Sequence, residues 1–215
     1  MRLYSYWRSS ASWRVRIALA HKGLPYEYRA VHLVRDGGEQ NATLYLGVNP
    51  MSQVPVLEMD DADPPQRIAQ SMAILEYLEE RFPTPPLLPG DPFLRARARQ
   101  LAEIVNAGIQ PFQNSPTVLG YVKDVLHGDP LAWTQHFLTR GLRALERTAL
   151  ETAGTFLVGG APSFADVCLV PQLYSARRFN VPLDDFPTLL QVESACNALP
   201  TFAAAHPDRQ PDAAP

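Results

Sequence analysis

Residues 83–92 read PTPPLLPGDP, with five prolines and one glycine in ten positions. Proline has a fixed φ and no backbone N–H, so such a run continues neither a helix nor a central strand. Proline-rich stretches of this kind mark boundaries between domains. The run therefore divides the 215 residues into a first domain, 1–82, a linker, 83–92, and a second domain, 93–215. Neither part needs disulfides or metal to bury a core.

The two parts carry different patterns. Before the linker, RLYSYW (2–7) is rich in aromatics and YEYRAVHL (26–33) is similar to it, and both predict strands. Between them SWRVRIALAHKG (12–23) predicts a helix, with Ser12 as its N-cap and Gly23 as its stop. NATLYLGVNP predicts a short helix ending before Pro50. VPVLEMDD (54–61) and QRIAQ (66–70) pair as a hairpin through ADPP, and SMAILEYLEERF (71–82) predicts a strong helix. This order gives a mixed α/β domain. After the linker the pattern is helical. FLRARARQLAEIVNAGIQPF is a helix bent or ended near Pro111, followed by helices over 129–151, 163–179 (with Pro171 as a kink) and 187–199. Ser163 and Asp166 form a capping-box variant before an apolar run, a folding motif. The closing HPDRQPDAAP is polar and proline-rich, which predicts a loosely ordered tail.

Composition narrows the class. Hydrophobic residues make up 46% and charged residues 19%, an ordinary globular balance. A formal net charge of -3 argues against a nucleic-acid binder. Two cysteines, Cys168 and Cys196, offer no disulfide framework and fit a reducing compartment. The five histidines have no metal-ligand spacing, so no metal is expected. MRLYSYW lacks a signal-peptide core, and no apolar run approaches a membrane span. The expectation is a cytoplasmic protein with no membrane partner.

One stretch points to chemistry. In WRSSASWRVRIAL (7–19), serines stand at a strand-to-helix turn. A helix start offers unpaired N–H groups and partial positive charge, and a hydroxyl there donates to an anion. A free thiol has a pKa near 8.5, and the thiolate is the nucleophile, so such a turn suits a sulfur anion. On the residues alone, a plain helix cap is the simpler reading.

RSSASWRVRIAL resembles the signature of the zeta-class glutathione transferases, whose usual form has cysteine where this chain has Ala11. NPMSQVPVL resembles their cis-proline loop, and QSMAILEYLEERFPTPPLLP their third helix and linker. GIQPFQN, FADVCLVPQ and HPDRQPD are similar to further segments of the class, in order along almost the whole chain. The class includes maleylacetoacetate isomerases and bacterial maleylpyruvate isomerases. The resemblance implies an N-terminal thioredoxin-like α/β domain followed by an all-α glutathione-transferase domain, with glutathione as cofactor.

It also implies roles. Ser9, with Ser10 second, stabilises the glutathione thiolate. Val54, before a cis Pro55, pairs its backbone with the cysteinyl part as in strand addition. Gln70 and Ser71, at a helix start, hold the γ-glutamyl carboxylate. Gln40 reaches the glycyl end. Gln110, Asn114 and Ser115 border the pockets. Arg8 and Arg178 clamp a dicarboxylate, with Arg177 the competing choice. Arg14 and Arg16 are structural or field-shaping charges. Ala11 cannot supply a nucleophile, so the sulfur comes from glutathione. The implied activity is isomerisation of maleylacetoacetate in tyrosine breakdown. Maleylpyruvate isomerisation in gentisate breakdown, general conjugation of electrophiles and a catalytically idle glutathione-binding scaffold are the alternatives. The class implies a homodimer.

Overall fold

The computed structural model describes residues 1–213 other than Ala62, Ser115 and Pro116. It divides into two compact units, Met1–Pro86 with Leu199–Pro215, and Leu87–Ala198. The break falls inside the proline-rich stretch. The segment from Leu199 onward groups with the first unit, which differs from its expected place as a loose tail on the second.

The first unit is built on a four-stranded sheet, ordered β2-β1-β3-β4. The strands are β1 (Arg2–Ser5), β2 (Glu27–Ala30), β3 (Val56–Met59) and β4 (Gln66–Ala69). β1 runs parallel to β2 and antiparallel to β3, with Tyr4 opposite Val56. β3 and β4 form the predicted hairpin, Val56 opposite Ala69 and Met59 opposite Gln66. Helix α1 (Ser10–His21) supplies the crossover that a parallel β1–β2 pair requires. Its apolar residues Val15, Ile17, Ala18 and Leu19 are fully buried, as are Ile74, Leu75 and Leu78 of helix α3 (Ser71–Arg81). A short helix α2 (Thr43–Leu46) lies between β2 and β3.

The ends of α1 follow from the sequence, with one correction. The cap is Ser9 and not the expected Ser12, three residues later, because Ser9 has the extended geometry of a cap (φ −67°, ψ 117°) and its Oγ accepts from the Ser12 N–H at 3.2 Å. At the other end Gly23 adopts φ +64°, and the N–H groups of Gly23 and Leu24 donate to Ala20 and Leu19. That is a Schellman closure, which needs a residue free of a Cβ penalty. Lys22 beside it is buried. Its Nζ donates to Glu79 Oε2 (2.8 Å), Phe82 O (2.7 Å) and Pro85 O (3.0 Å), so all three protons are used.

Among the described residues the tail is folded. Helix α9 (Pro200–Ala204) and a 3-10 turn, Pro207–Arg209, precede Asp212, which accepts from Trp7 N–H and Tyr28 OH. These partners lie far off in sequence, so composition alone did not reveal them.

In the second unit the helices are α4 (Pro92–Asn106), α5 (Thr117–Asp124), α6 (Pro130–Ala149), α7 (Phe164–Arg178) and α8 (Pro187–Asn197). Asp91 and Asp129 cap α4 and α6, each followed by a proline at the first turn. The capping box of Ser163 and Asp166 starts α7 as expected. This helix continues through Pro171 and is the core of the unit, buried along most of its length. Both carboxylate oxygens of Glu146 accept from the first N–H groups of α8, Thr188 and Leu189, at 3.0 Å. α4 ends at Asn106, earlier than expected, and Pro111 sits instead in a 3-10 turn, Gln110–Gln113. α5 and α9 were not expected.

Candidate functional site

The first unit carries an anion-seating turn. The chain leaves β1, and Ser9 donates its N–H to Tyr6 O at 3.0 Å. The Ser9 oxygen is an acceptor for Ser12 N–H, which leaves the hydroxyl proton to donate elsewhere. Ser10 and Ala11 follow as the first helical residues, half-buried, with N–H groups that no preceding turn satisfies. Arg16, 1% exposed, holds the turn from beneath. Its Nη2 donates to Trp7 O (2.8 Å) and its Nη1 to Tyr6 O (3.3 Å). Burial pushes the Arg16 pKa down to about 10, so it stays charged at neutral pH. Arg8 lies over the Trp7 ring, 5.1 Å from its centroid, and among the described residues makes no ion pair.

Beside the sheet, Val54–Pro55 is cis. Tyr45 OH (2.7 Å) and Asn49 Nδ2 (2.8 Å) both donate to Gln53 O and fix the residue just before it. Val54 joins Tyr6, Val31, Tyr45 and Val56 in one apolar cluster. Among the described residues nothing hydrogen-bonds to the Val54 backbone. Its N–H and C=O can therefore pair with an extended chain, as a strand edge does.

A second anion seat stands at the start of α3. Gln70 has φ +72°, a conformation unusual for any residue but glycine, and its side chain bonds to Gln53 at 3.3 Å. Ser71 follows as the first helical residue, 4% exposed. Arg14 Nη1 donates to Ser71 Oγ at 3.1 Å. The oxygen is thereby an acceptor, and its proton is free to donate, as at Ser9. Gln40 is buried in a 3-10 turn. Its Nε2 donates to Leu33 O (3.2 Å), while its Oε1 has no partner among the described residues. Gly38 has φ +94° and lies so close that a Cβ there would collide with the Gln40 amide.

In the second unit, Gln110 opens the 3-10 turn and Asn114 follows its end. The turn is fixed by Trp133 Nε1, which donates to Phe112 O (3.1 Å), and by a stacked Phe112–Phe137 pair. Gln172 Nε2 donates to Gln113 Oε1 at 2.9 Å, both buried, which ties the turn to α7. Ser115 lies outside the described residues. At the end of α7, Arg177 is engaged bidentately by Glu193. Arg178, exposed, lies 5.5 Å from the Phe179 ring centroid.

Sequence reasoning named the serines, the proline loop and Ser71. It read Arg14 and Arg16 as structural or field-shaping charges without naming their partners, and both are 1% exposed. Two arginines inside the apolar run WRVRIALA were the available signal, since a charge is buried only for a structural or functional reason. Chemically, the first unit offers two helix starts, each with a hydroxyl donor, and an unpaired strand edge. Such a set receives an extended ligand with an anionic group at each helix start.

Comparisons with known proteins agree. A family model described as glutathione S-transferase, N-terminal domain, matches residues 8–81. Maleylacetoacetate isomerase of Rattus norvegicus is 48% identical over 210 residues, 98% of this chain and 94% of that protein. The crystal structure of maleylacetoacetate isomerase from Anaeromyxobacter dehalogenans with glutathione in its active site is 55% identical, with a TM-score of 0.91, over 99% of this chain and 97% of that one. That enzyme was also determined with dicarboxyethyl glutathione and citrate bound (52% identity, TM-score 0.90, 100% of this chain and 97% of that one). A maleyl pyruvate isomerase, a bacterial zeta-class glutathione transferase, is 41% identical with a TM-score of 0.93 over the full length of both chains. This chain belongs to the maleylacetoacetate isomerase family of zeta-class glutathione transferases.

Proposed function

We propose that this protein is a glutathione-dependent isomerase that converts maleylacetoacetate to fumarylacetoacetate. When bound, glutathione supplies a thiolate that adds to the cis double bond, permits rotation, and leaves unchanged. The observation that carries the reading is the Ser9 hydroxyl, whose oxygen is already taken by Ser12 N–H and whose proton is available to a sulfur anion. Ser9 and the first N–H groups of α1 hold that sulfur as a thiolate. Ser10 is the second donor.

The remaining groups orient the ligands. The Val54 backbone beside Pro55 pairs with the cysteinyl part, Gln70 and Ser71 hold the γ-glutamyl carboxylate, and Gln40 serves the glycyl end. The donor types present fit each of these partners. Arg8 takes a substrate carboxylate. By the family resemblance Arg178 takes a second one, with Arg177, which Glu193 engages, as the competing choice. Ala11 leaves the α1 start without a thiol of its own.

The dicarboxyethyl adduct of glutathione in the Anaeromyxobacter enzyme supports thiol addition to a maleyl-type double bond. The maleyl pyruvate isomerase match supports a second reading, in which maleylpyruvate is the substrate. We further propose a cytoplasmic homodimer serving tyrosine breakdown. No helix among the described residues is long and apolar enough to cross a membrane. The test follows both maleyl substrates with and without glutathione. Turnover of maleylacetoacetate that requires glutathione but does not consume it, with the higher kcat/KM, supports the reading. Consumption of glutathione points to conjugation, a higher kcat/KM on maleylpyruvate to the second reading, and binding without turnover to a scaffold.

A further inference from the structure

The C-terminal segment reaches back to the turn that carries Ser9. Asp212 Oδ2 accepts from the Trp7 N–H at 3.0 Å, and its Oδ1 accepts from Tyr28 OH at 2.6 Å. The same Trp7 peptide unit region is held from the other side, since Arg16 donates to Trp7 O and Tyr6 O. Arg16 also donates through Nε to Ala205 O at 3.2 Å, so it binds the turn and the C-terminal segment at once. The segment itself is folded. Gln210 Nε2 donates to Ala204 O and His206 O, and His206 packs edge-on against Trp13 of α1, 5.2 Å between ring centroids. Burial raises the Tyr28 hydroxyl above its ordinary value, and the bond to Asp212 adds to this, so the phenol remains a donor at neutral pH.

Trp7 precedes Arg8 and Ser9 directly, and Ser9 N–H is bonded to Tyr6 O. A shift of the Trp7 peptide therefore moves both the proposed carboxylate clamp and the proposed thiolate donor. Misplacement of about 1 Å costs as much as 100-fold in rate where catalysis rests on orientation.

We propose that the segment from Ala205 to Asp212 is a positioning strap for the Ser9 turn, and that Asp212 is its positioning residue, acting through the Trp7 N–H. The inference rests on the reading of Ser9 as thiolate donor. It assigns to the polar C-terminal stretch a part in tuning the bound thiol.

The test compares D212A, D212N and D212E with the parent protein. Three quantities are read below the melting range: the pKa of the thiol of bound glutathione, from thiolate absorbance against pH; hydrogen exchange of the Trp7 amide; and kcat/KM. D212A is expected to raise the thiol pKa by roughly half to one unit. It should also speed Trp7 exchange and lower kcat/KM about 10-fold. D212N keeps an acceptor for Trp7 N–H and is expected to stay within about 3-fold of the parent. D212E keeps the carboxylate but displaces it, so it reports an intermediate shift and serves if D212A does not fold. A lowered melting temperature in D212A and D212E with parental thiol pKa and kcat/KM overturns the proposal and leaves the strap a stabilising element only. D212N falling as far as D212A also overturns it, since charge rather than the acceptor would then matter. S9A, run in parallel, separates the two claims. An unchanged thiol pKa in S9A refutes the role of Ser9. A shifted pKa in S9A with none in D212A and D212E refutes the strap alone.

Discussion

Arg14 Nη1 donates to Ser71 Oγ at 3.1 Å, joining the middle of α1 to the start of α3 inside the first unit. The arginine is buried and brings a positive charge to a helix N-terminus that is already electropositive. It also turns the serine proton outward, since the oxygen is occupied as an acceptor.

Ser71→Ala and Arg14→Gln should therefore weaken glutathione binding more than the chemical step. A charge-assisted hydrogen bond contributes about 1.5–3 kcal/mol, so KM for glutathione is expected to rise by roughly 10- to 100-fold. The kcat at saturating glutathione should change by less than about 5-fold. Steady-state kinetics with glutathione as the varied ligand checks this. An equal fall in kcat with KM unmoved contradicts the assignment.

Ala11→Cys restores the residue common in the class at that position. If glutathione supplies the sulfur, a second thiol at the helix start adds no reaction step. The kcat is expected to stay within about 3-fold of the parent, the range of a small change in pocket shape. A rise of an order of magnitude would show that position 11 takes part in the chemistry.

The Lys22–Glu79 pair is buried on both sides, 0% and 6% exposed. Removing one member of such a pair is costly, whereas exchanging both for apolar groups is often close to neutral. Lys22→Met should destabilise the protein by about 3–5 kcal/mol. The double variant Lys22→Met with Glu79→Leu should recover the part due to the unpaired carboxylate but not all of it, since Phe82 O and Pro85 O still lose their donor. Denaturant unfolding of the single and double variants measures the difference.

Asp166 sets a pH dependence. Burial pushes its carboxyl up to about 6, against the opposing pull of the Leu157 N–H and the Ser163 hydroxyl and N–H. Its ordinary value is 3.8. A folded pKa above the unfolded one means that the folded state holds the proton more tightly. The resulting stability is fully present below about pH 4 and is lost as pH rises through about 6. Two units correspond to roughly 3 kcal/mol. Measured against Asp166→Asn, the stability of the parent should thus decline by up to that amount between pH 4 and pH 7. A difference that stays flat or grows toward neutral pH contradicts the shift and means that the three donors keep the carboxylate ionised.

The strands, the hairpin and the capping box were legible because their signals are local: aromatic-rich runs, turn residues, and a serine three positions before an aspartate. The cis geometry at Pro55 was not written in the dipeptide, and only the family resemblance pointed to it. Helix α5 was missed because TVLGYVKD contains a glycine and β-branched residues, which lower helix propensity. Asp212 was missed for another reason. Its partners Trp7 and Tyr28 stand 205 and 184 positions away, so a polar, proline-rich tail looked unstructured. Arg14 and Arg16 likewise acquired meaning only once burial and partners were known. Local chemistry could be read from the chain, and long-range partnership could not.

The claim that the start of α1 seats a thiolate is tested most directly by titrating the thiol of bound glutathione in the parent and in Ser9→Ala. Free thiols titrate near pH 8.5. The account predicts a bound thiol at least about one unit lower in the parent, returning most of the way to the free value in Ser9→Ala, because one hydroxyl donor to an anion contributes about 1.5–3 kcal/mol. An identical, lowered pKa in both proteins would contradict it.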